Sequence, residues 1–235
     1  MKAIITGGSS GLGYEIAKQL RRLNFDLILI GTRKEKLDRA LAQLEAVESS
    51  GKMEGFAFDI SDEEKVREFF GKMEERREAI DYLFNVAGKS YYGSIEEITC
   101  GEIMDTLRAN MIGLMLMTAR GVKLFKAYAA PKQRIVSILS TAALKGKKHE
   151  TVYNASKWGA RGFLESVRDE VSNTHIDIIN IYPGGMQTPF WENSTSGYAV
   201  DAFMEPEAVA KQVVAIATDY STWISDVTIN RPRQV

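Results

Sequence analysis

"KAIITGGSSGLGYEIAKQLRRL", Lys2–Leu23, changes character at its centre. Lys2–Thr6 is a short apolar run, halted by Gly7-Gly8. From Gly13 onward, Ile16, Leu20 and Leu23 recur at helical spacing. The stretch therefore predicts a buried strand, a glycine-rich turn and a helix. Glycines let such a turn fold tightly, and the helix N-terminus offers free N–H groups to a phosphate. The spacing is Gly7-x-x-x-Gly11-x-Gly13, which is not the G-x-G-x-x-G fingerprint. A tight turn without a ligand is the competing reading.

The same alternation runs to the end of the chain. Strands are expected at Asp26–Gly31, Met53–Asp59, Ile80–Gly88, Arg134–Ser140, Ile176–Gly184 and Thr222–Asn230. Helices are expected at Lys34–Ser49, after an N-cap at Ser61 completed by Glu64, up to about Ala130, around Val152–Phe163, and at Glu205–Thr218 with Pro206 in the first turn. Continuous Val/Ile/Leu strands between helices imply a parallel sheet covered on both faces. With right-handed crossovers, an α/β doubly wound, mostly parallel seven-stranded sheet is expected, in a single domain over 1–235. The longest irregular stretch is Gly184–Met204, a length usual for a lid over a site.

Composition narrows the function classes. Net charge is −1, with 45% hydrophobic and 26% charged residues. That balance does not suggest a polyanion-binding surface and argues against nucleic acid as a partner. No apolar stretch approaches the ~20 residues that span a bilayer, and no leader pattern precedes the first strand, so no membrane is expected. The lone cysteine, Cys100, excludes an internal disulfide, reads as a bystander and fits a cytoplasmic location. No metal site is expected.

The end of the second strand bears on the ligand. In dinucleotide sites an acid there holds the ribose 2′-hydroxyl, whereas an arginine suits a 2′-phosphate. Here the chain reads Gly31, Thr32, Arg33, Lys34, with no acid before Glu35. Arg33 can offer a planar fork and Lys34 a point charge. This favours NADP, with NAD possible; a solvated basic turn is the bland alternative.

Tyr153 and Lys157 share a helical face by i,i+4 spacing. An ammonium near the phenol favours phenolate and makes the tyrosine a better proton donor. Many such pairs are plain helix faces. The context is more telling: Ser140 ends the fifth strand thirteen positions earlier, on the side where open parallel sheets bind ligands. Its hydroxyl is suited to a substrate oxygen, or to capping a turn.

Taken in order, "TGGSSGLG", Asp59, "NVAG" at Asn85–Gly88, Asn110, Ser140, "YNASK" at Tyr153–Lys157 and "PGGMQT" at Pro183–Thr188 resemble the short-chain dehydrogenase/reductase family in its compact form. The resemblance covers nearly the whole chain and implies a Rossmann-type sheet. It implies that Gly7, Ser9, Ser10, Gly11, Leu12 and Gly13 line a pyrophosphate turn, with Thr32, Arg33 and Lys34 at the adenosine ribose. Asp59 and Ile60 would hold the adenine, while Asn85, Ala87 and Gly88 support cofactor and sheet. Pro183, Gly184, Met186 and Thr188 would meet the nicotinamide end. Tyr153 would be general acid or base, and Lys157 would bond the nicotinamide ribose and tune Tyr153. Ser140 would position the carbonyl oxygen, and Asn110 would hold a water for proton resupply. Val86, Ala143 and the ending "RPRQV" depart from the family's habit; the last leaves tetramer packing of the C-terminus in doubt. Ser137, a strand residue, should point away from the site.

The expected activity is NADP-dependent interconversion of a small aldehyde or ketone and its alcohol. Substrate contacts are expected from Lys89–Gly93, Ala142–Glu150 and the Gly184–Met204 loop, with Tyr91, Tyr92, Met186, Phe190, Trp191 and Tyr198 available for an apolar pocket. The lysines of "KGKKHE", Lys145–Glu150, favour an anionic substrate or are simply solvated. Met111–Met117 is apolar all round and reads as a buried helix. By family resemblance a homodimer or homotetramer is expected, burying Trp158 or Phe163. The rival readings are a catalytically idle NADP-binding sensor and a sugar-nucleotide epimerase or dehydratase. The first needs no proton donor, and the second needs a larger substrate domain after Pro183.

Overall fold

The computed structural model describes residues 1–192 and 196–232. Seven strands, β1 (Lys2–Thr6), β2 (Asp26–Gly31), β3 (Met53–Ala57), β4 (Tyr82–Asn85), β5 (Gln133–Ile138), β6 (Ile176–Pro183) and β7 (Asp226–Ile229), form one sheet in the order β3-β2-β1-β4-β5-β6-β7. Every neighbouring pair is parallel. Seven helices lie between them: α1 (Gly11–Arg22), α2 (Lys34–Glu45), α3 (Glu63–Arg76), α4 (Cys100–Leu107), α5 (Gly113–Ala127), α6 (Thr151–Glu170) and α7 (Pro206–Thr218).

The two-residue period of the strands explains the two cores. Ile4, Ile28 and Ile30 face one way and pack with Val66 and Phe69 of α3, Leu124 and Phe125 of α5, and Leu164 of α6. Ala3, Ile5, Leu27 and Leu29 face the other way, toward Ile16 and Leu20 of α1, Leu37 and Leu44 of α2, and Val209 and Val213 of α7. Strand order reverses between β1 and β4, because β2 and β3 extend to one side and β5–β7 to the other. No helix can cover the gap outside the C-terminal ends of β1 and β4.

Local differences from the expected elements have simple causes. Asp62, not Ser61, caps α3, because its carboxylate accepts the N–H groups of Glu64 and Lys65. The strand expected at Ile80–Gly88 is confined to Tyr82–Asn85, since beyond Asn85 the chain leaves the ladder of β1. The helical stretch before Ala130 is broken by a π turn at Arg108–Ile112, which continues α4 into α5. Met111–Met117 is accordingly only half-buried on alternate faces. No helix among the described residues is long and apolar enough to cross a membrane.

Thr6 sets the exit from the switch point. Its Oγ1 is fully buried, accepts the N–H groups of Val86 (3.0 Å) and Ala87 (3.2 Å), and lies 3.4 Å from the Phe84 carbonyl, to which it donates. The end of β1 thereby holds the loop leaving β4. Thr6→Val keeps the shape and orphans both N–H groups. Urea denaturation is expected to show a loss of about 2–3 kcal/mol, largely restored by Thr6→Ser.

Candidate active site

The uncovered gap is a cleft of about 830 Å³. Its floor begins at the turn after β1. Gly7 has φ +69°, and a Cβ there would stand 2.9 Å from the Ala87 backbone. A Cβ on Gly13 would fall on the Gly7 carbonyl, so the helix start can approach the turn only as glycine. Ser10 is the N-cap of α1, yet its side chain makes no capping bond, and no acid occupies the first turn. The helix end thus keeps donors and a positive dipole end for an anion. Gly7, Ser9, Ser10, Gly11, Leu12 and Gly13 all border the cleft. This cradle fits a pyrophosphate.

At the end of β2, Thr32 and Arg33 border the cleft, as do Asp59 and Ile60 beyond β3. Lys34 does not. Its ammonium turns along α2 to the Asp38 carboxylate (2.6 Å), one turn on, and is well exposed. Lys36 takes a place in the cleft instead. Lys36 belongs to the same basic run, but only the rotation of the first turn of α2 distinguishes the two lysines.

Beyond β4, Ala87 and Gly88 reach the cleft, whereas Asn85 lies behind it. Asn85 is buried in the sheet and donates to Thr118 Oγ1 (3.0 Å) on α5 and to Ser137 Oγ (3.3 Å) on β5. Its support of the site is therefore indirect. Ser137, turned inward, is part of that brace. Asn110 is also fully buried, at the centre of the π turn. Its amide accepts the Lys89 N–H (2.7 Å), donates to the Lys89 carbonyl (2.9 Å) and donates to Ser156 Oγ (3.0 Å). One side chain thereby fastens the loop after β4 to α6.

Ser140, Tyr153 and Lys157 converge on the cleft wall. Ser140 Oγ accepts the Ala142 N–H (3.0 Å), capping a short 3₁₀ turn, while its hydroxyl hydrogen bonds toward Tyr153. Of the two roles read from the sequence, the structure shows the turn cap. Lys157 is 4% exposed, and its ammonium donates to the Ile138 carbonyl (3.2 Å). It stands 5.8 Å from the Tyr153 ring centre. Burial pushes the Tyr153 phenol well above its ordinary value; the Ser140 hydrogen bond opposes this and the Glu150 carboxylate adds to it. Burial alone pushes Lys157 down to about 8. Burial therefore keeps the phenol protonated and lets the amine titrate within reach of neutrality.

Pro183, Gly184, Met186 and Thr188 form the opposite wall. The loop from Gly184 is closed at its base by pairing of Met186 with Met204. It folds over the cleft as a chain of aromatic contacts. Phe190 meets the Tyr153 ring edge-on (5.9 Å), Trp191 meets Phe190 and Tyr198, and Phe203 meets Trp191. Ser90 donates to the Phe190 carbonyl (3.0 Å) and Trp191 Nε1 to the Met186 carbonyl (3.0 Å), which docks the loop. Tyr91 and Tyr92 do not border the cleft; Tyr92 instead packs on His149 and Tyr198. Of the expected lysine cluster, Lys147 borders the cleft and Lys145 and Lys148 do not. Cleft residues not picked out from the sequence include Phe58, Ala109, Phe203, Asn230 and Arg231. Asn230 and Arg231 follow the end of β7, a position that marks them only once the strand order is known.

A family model described as short chain dehydrogenase matches residues 1–199. The sepiapterin reductase of Chlorobaculum tepidum is 28% identical over 234 residues, covering 97% of this chain and 95% of that protein. The carbonyl reductase family member 4 of Danio rerio is 28% identical over 222 residues, covering 90% and 89%. A solved short-chain dehydrogenase/reductase from Vibrio parahaemolyticus superposes with a TM-score of 0.82 at 30% identity, covering 98% of this chain and all of that one.

The depressed lysine gives a stability signature in the ligand-free protein. Between pH 8 and the unfolded value of 10.5, the unfolded chain holds a proton on Lys157 that the folded chain has released. Stability must therefore rise with pH across the lower part of that window, before tyrosines ionise in the unfolded chain near pH ~10 and reverse the trend. Chemical denaturation from pH 7.5 to about 9.5 is expected to show this rise in the wild type and its loss in Lys157→Met.

Proposed function

The chain belongs to the short-chain dehydrogenase/reductase family, and on that premise we propose that it is an NADP(H)-dependent reductase of small aldehydes or ketones, able to oxidise the corresponding alcohols. The observation that carries this reading is the convergence of Ser140, Tyr153 and Lys157 on one cleft wall, facing a phosphate-type turn. A nicotinamide dinucleotide, when bound, supplies or accepts the hydride. The turn from Gly7 to Gly13 would hold its pyrophosphate. Asp59 and Ile60 would hold the adenine, Lys157 the nicotinamide ribose, and Pro183, Gly184, Met186 and Thr188 the nicotinamide end.

The residues of the chain supply position and protons. Ser140 donates a hydrogen bond to the carbonyl oxygen and fixes it beside the Tyr153 hydroxyl. Tyr153, held neutral by burial, gives its proton to that oxygen as negative charge develops there. The Lys157 ammonium stabilises the resulting phenolate, reversing the bias that burial imposes on both groups. Asn110 holds the Lys89 loop and α6 in register, and is placed to keep a water route to Lys157. The aromatic loop excludes bulk water, which strengthens these interactions.

Arg33 borders the cleft at the end of β2, where no acid stands, and this supports a 2′-phosphate on the ribose. The presence of a complete proton-donating set favours an enzyme over an idle NADP-binding sensor. We read residues 1–235 as one domain, acting in the cytoplasm as a homodimer or homotetramer.

NADPH consumption with a panel of carbonyl compounds tests the reading. Tyr153→Phe is expected to lower kcat by roughly 10²–10⁴-fold; undiminished turnover would sink the mechanism. Arg33→Ala is expected to cut the kcat/KM preference for NADPH over NADH by about 10–100-fold, the effect of one charge-assisted contact. An unchanged preference would refute the phosphate assignment.

A further inference from the structure

Glu150 is an acid out of place. It is 3% exposed, borders the cleft, and lies three residues before Tyr153. The Asn154 N–H donates to its carbonyl (2.7 Å), as expected of the N-cap of α6, whose own backbone (φ −106°, ψ 27°) lies outside the helix. Both residues line the cleft, and the Glu150 carboxylate is close enough to act on the Tyr153 phenol electrostatically. Its carboxylate has one hydrogen bond: Oε1 accepts the Tyr198 hydroxyl (2.7 Å) from the aromatic loop. Oε2 is buried and accepts none. The nearest cation, Lys147 Nζ, stands 3.7 Å from Oε2, beyond hydrogen-bonding distance, on a side chain that is 41% exposed.

A buried carboxylate oxygen without a donor costs about 1–3 kcal/mol or more. A carboxylate at the start of α6 would favour the helix dipole, but that role requires neither burial in the cleft nor the bond to Tyr198. The other acids on the cleft differ. Asp59 uses Oδ1 on the Ser61 N–H (2.8 Å), and Glu192 is exposed. Among the described acids on the cleft, Glu150 is the one with a buried oxygen that accepts no hydrogen bond.

We infer that Glu150 is a specificity residue, whose free carboxylate oxygen receives an ammonium or N–H donor carried by the substrate close to its reacting carbonyl. This rests on the carbonyl-reductase reading and narrows it. Amino carbonyl compounds are favoured over neutral isosteres, and keto acids are disfavoured by repulsion from the same oxygen. Lys147 is the internal competitor, close enough to screen the charge and mobile enough to yield. The Tyr198 bond joins this site to the aromatic contacts of Tyr92, Trp191 and Phe203.

The test compares aminoacetone, butanone and pyruvate with NADPH, in the wild type, Glu150→Gln and Lys147→Met. Ratios of kcat/KM cancel any change in Tyr153 acidity common to all three ketones. The wild type is expected to favour aminoacetone over butanone by about tenfold or more, and Glu150→Gln to erase that preference while keeping an acceptor for Tyr198. Lys147→Met, which removes the competitor, is expected to raise the ratio. A wild-type ratio at or below one, a ratio unchanged in Glu150→Gln, or a fall in Lys147→Met would overturn the assignment. If no carbonyl compound is reduced, the reductase reading fails on its own. The Glu150 assignment then stands or falls on NMR-detected binding of isopropanolamine over sec-butanol. It stands if that preference is present in the wild type and lost in Glu150→Gln, and falls otherwise.

Discussion

Parallel pairing of β1 with both β2 and β4 is the constraint on which the site depends. The chain extends the sheet in one direction from β1 through β2 and β3, and in the other from β4 through β7. α1, α2 and α7 cover one face of the sheet, and α3, α5 and α6 cover the other. Between them the C-terminal strand ends stay uncovered, with backbone groups and helix N-termini directed at the gap. Strand ends, the turns after them and the starts of the next helices deliver most of the cleft, while Lys157 comes from the second turn of α6 and Ala109 from the π turn. Thr6 makes this a fixed geometry, since one hydroxyl joins the end of β1 to the loop leaving β4.

The chemistry of the wall follows from burial. A phenol and an amine whose nitrogen lies 5.8 Å from the ring centre, both almost without solvent, each move toward the uncharged form. The protein thus carries a neutral acid and an amine able to titrate near neutrality, poised by desolvation rather than by a direct bond between them. Ser140 is the one neighbour that eases phenolate formation, and Glu150 is the one that opposes it.

The positioning of these groups is indirect and exact in its logic. Asn110 interrupts a continuous helix with a π turn, a form that recurs at functional sites, and spends its amide on Lys89 and Ser156. Asn85 braces α5 against β5. Neither touches the cleft, and both resemble site residues in sequence because the loops they hold are the site. Sequence spacing cannot separate contact from support. Lys34 illustrates the same limit, for a helix turns a side chain by about 100° per residue. A basic pair therefore sends only one member toward a given wall, and the cleft takes Lys36, two residues beyond Lys34.

Much of the architecture was legible in the chain itself, because local physics suffices for it. Apolar runs bounded by glycine, helical periodicity between them and a glycine turn at Thr6–Gly13 dictate strands, helices and a parallel sheet. The i,i+4 spacing of Tyr153 and Lys157 already places them on one helical face. The α3 cap and the length of β4 were misplaced by a residue or more, since caps and strand ends are settled by which partner is within reach. Tertiary structure alone decided that the Gly184–Met204 loop lays Phe190 on Tyr153, that Tyr198 reaches across to Glu150, and that Asn230 and Arg231 join the cleft from the last strand. Those contacts join residues far apart in sequence, and their energies arise from burial and hydrogen bonding that exist only once the sheet has brought the strand ends together.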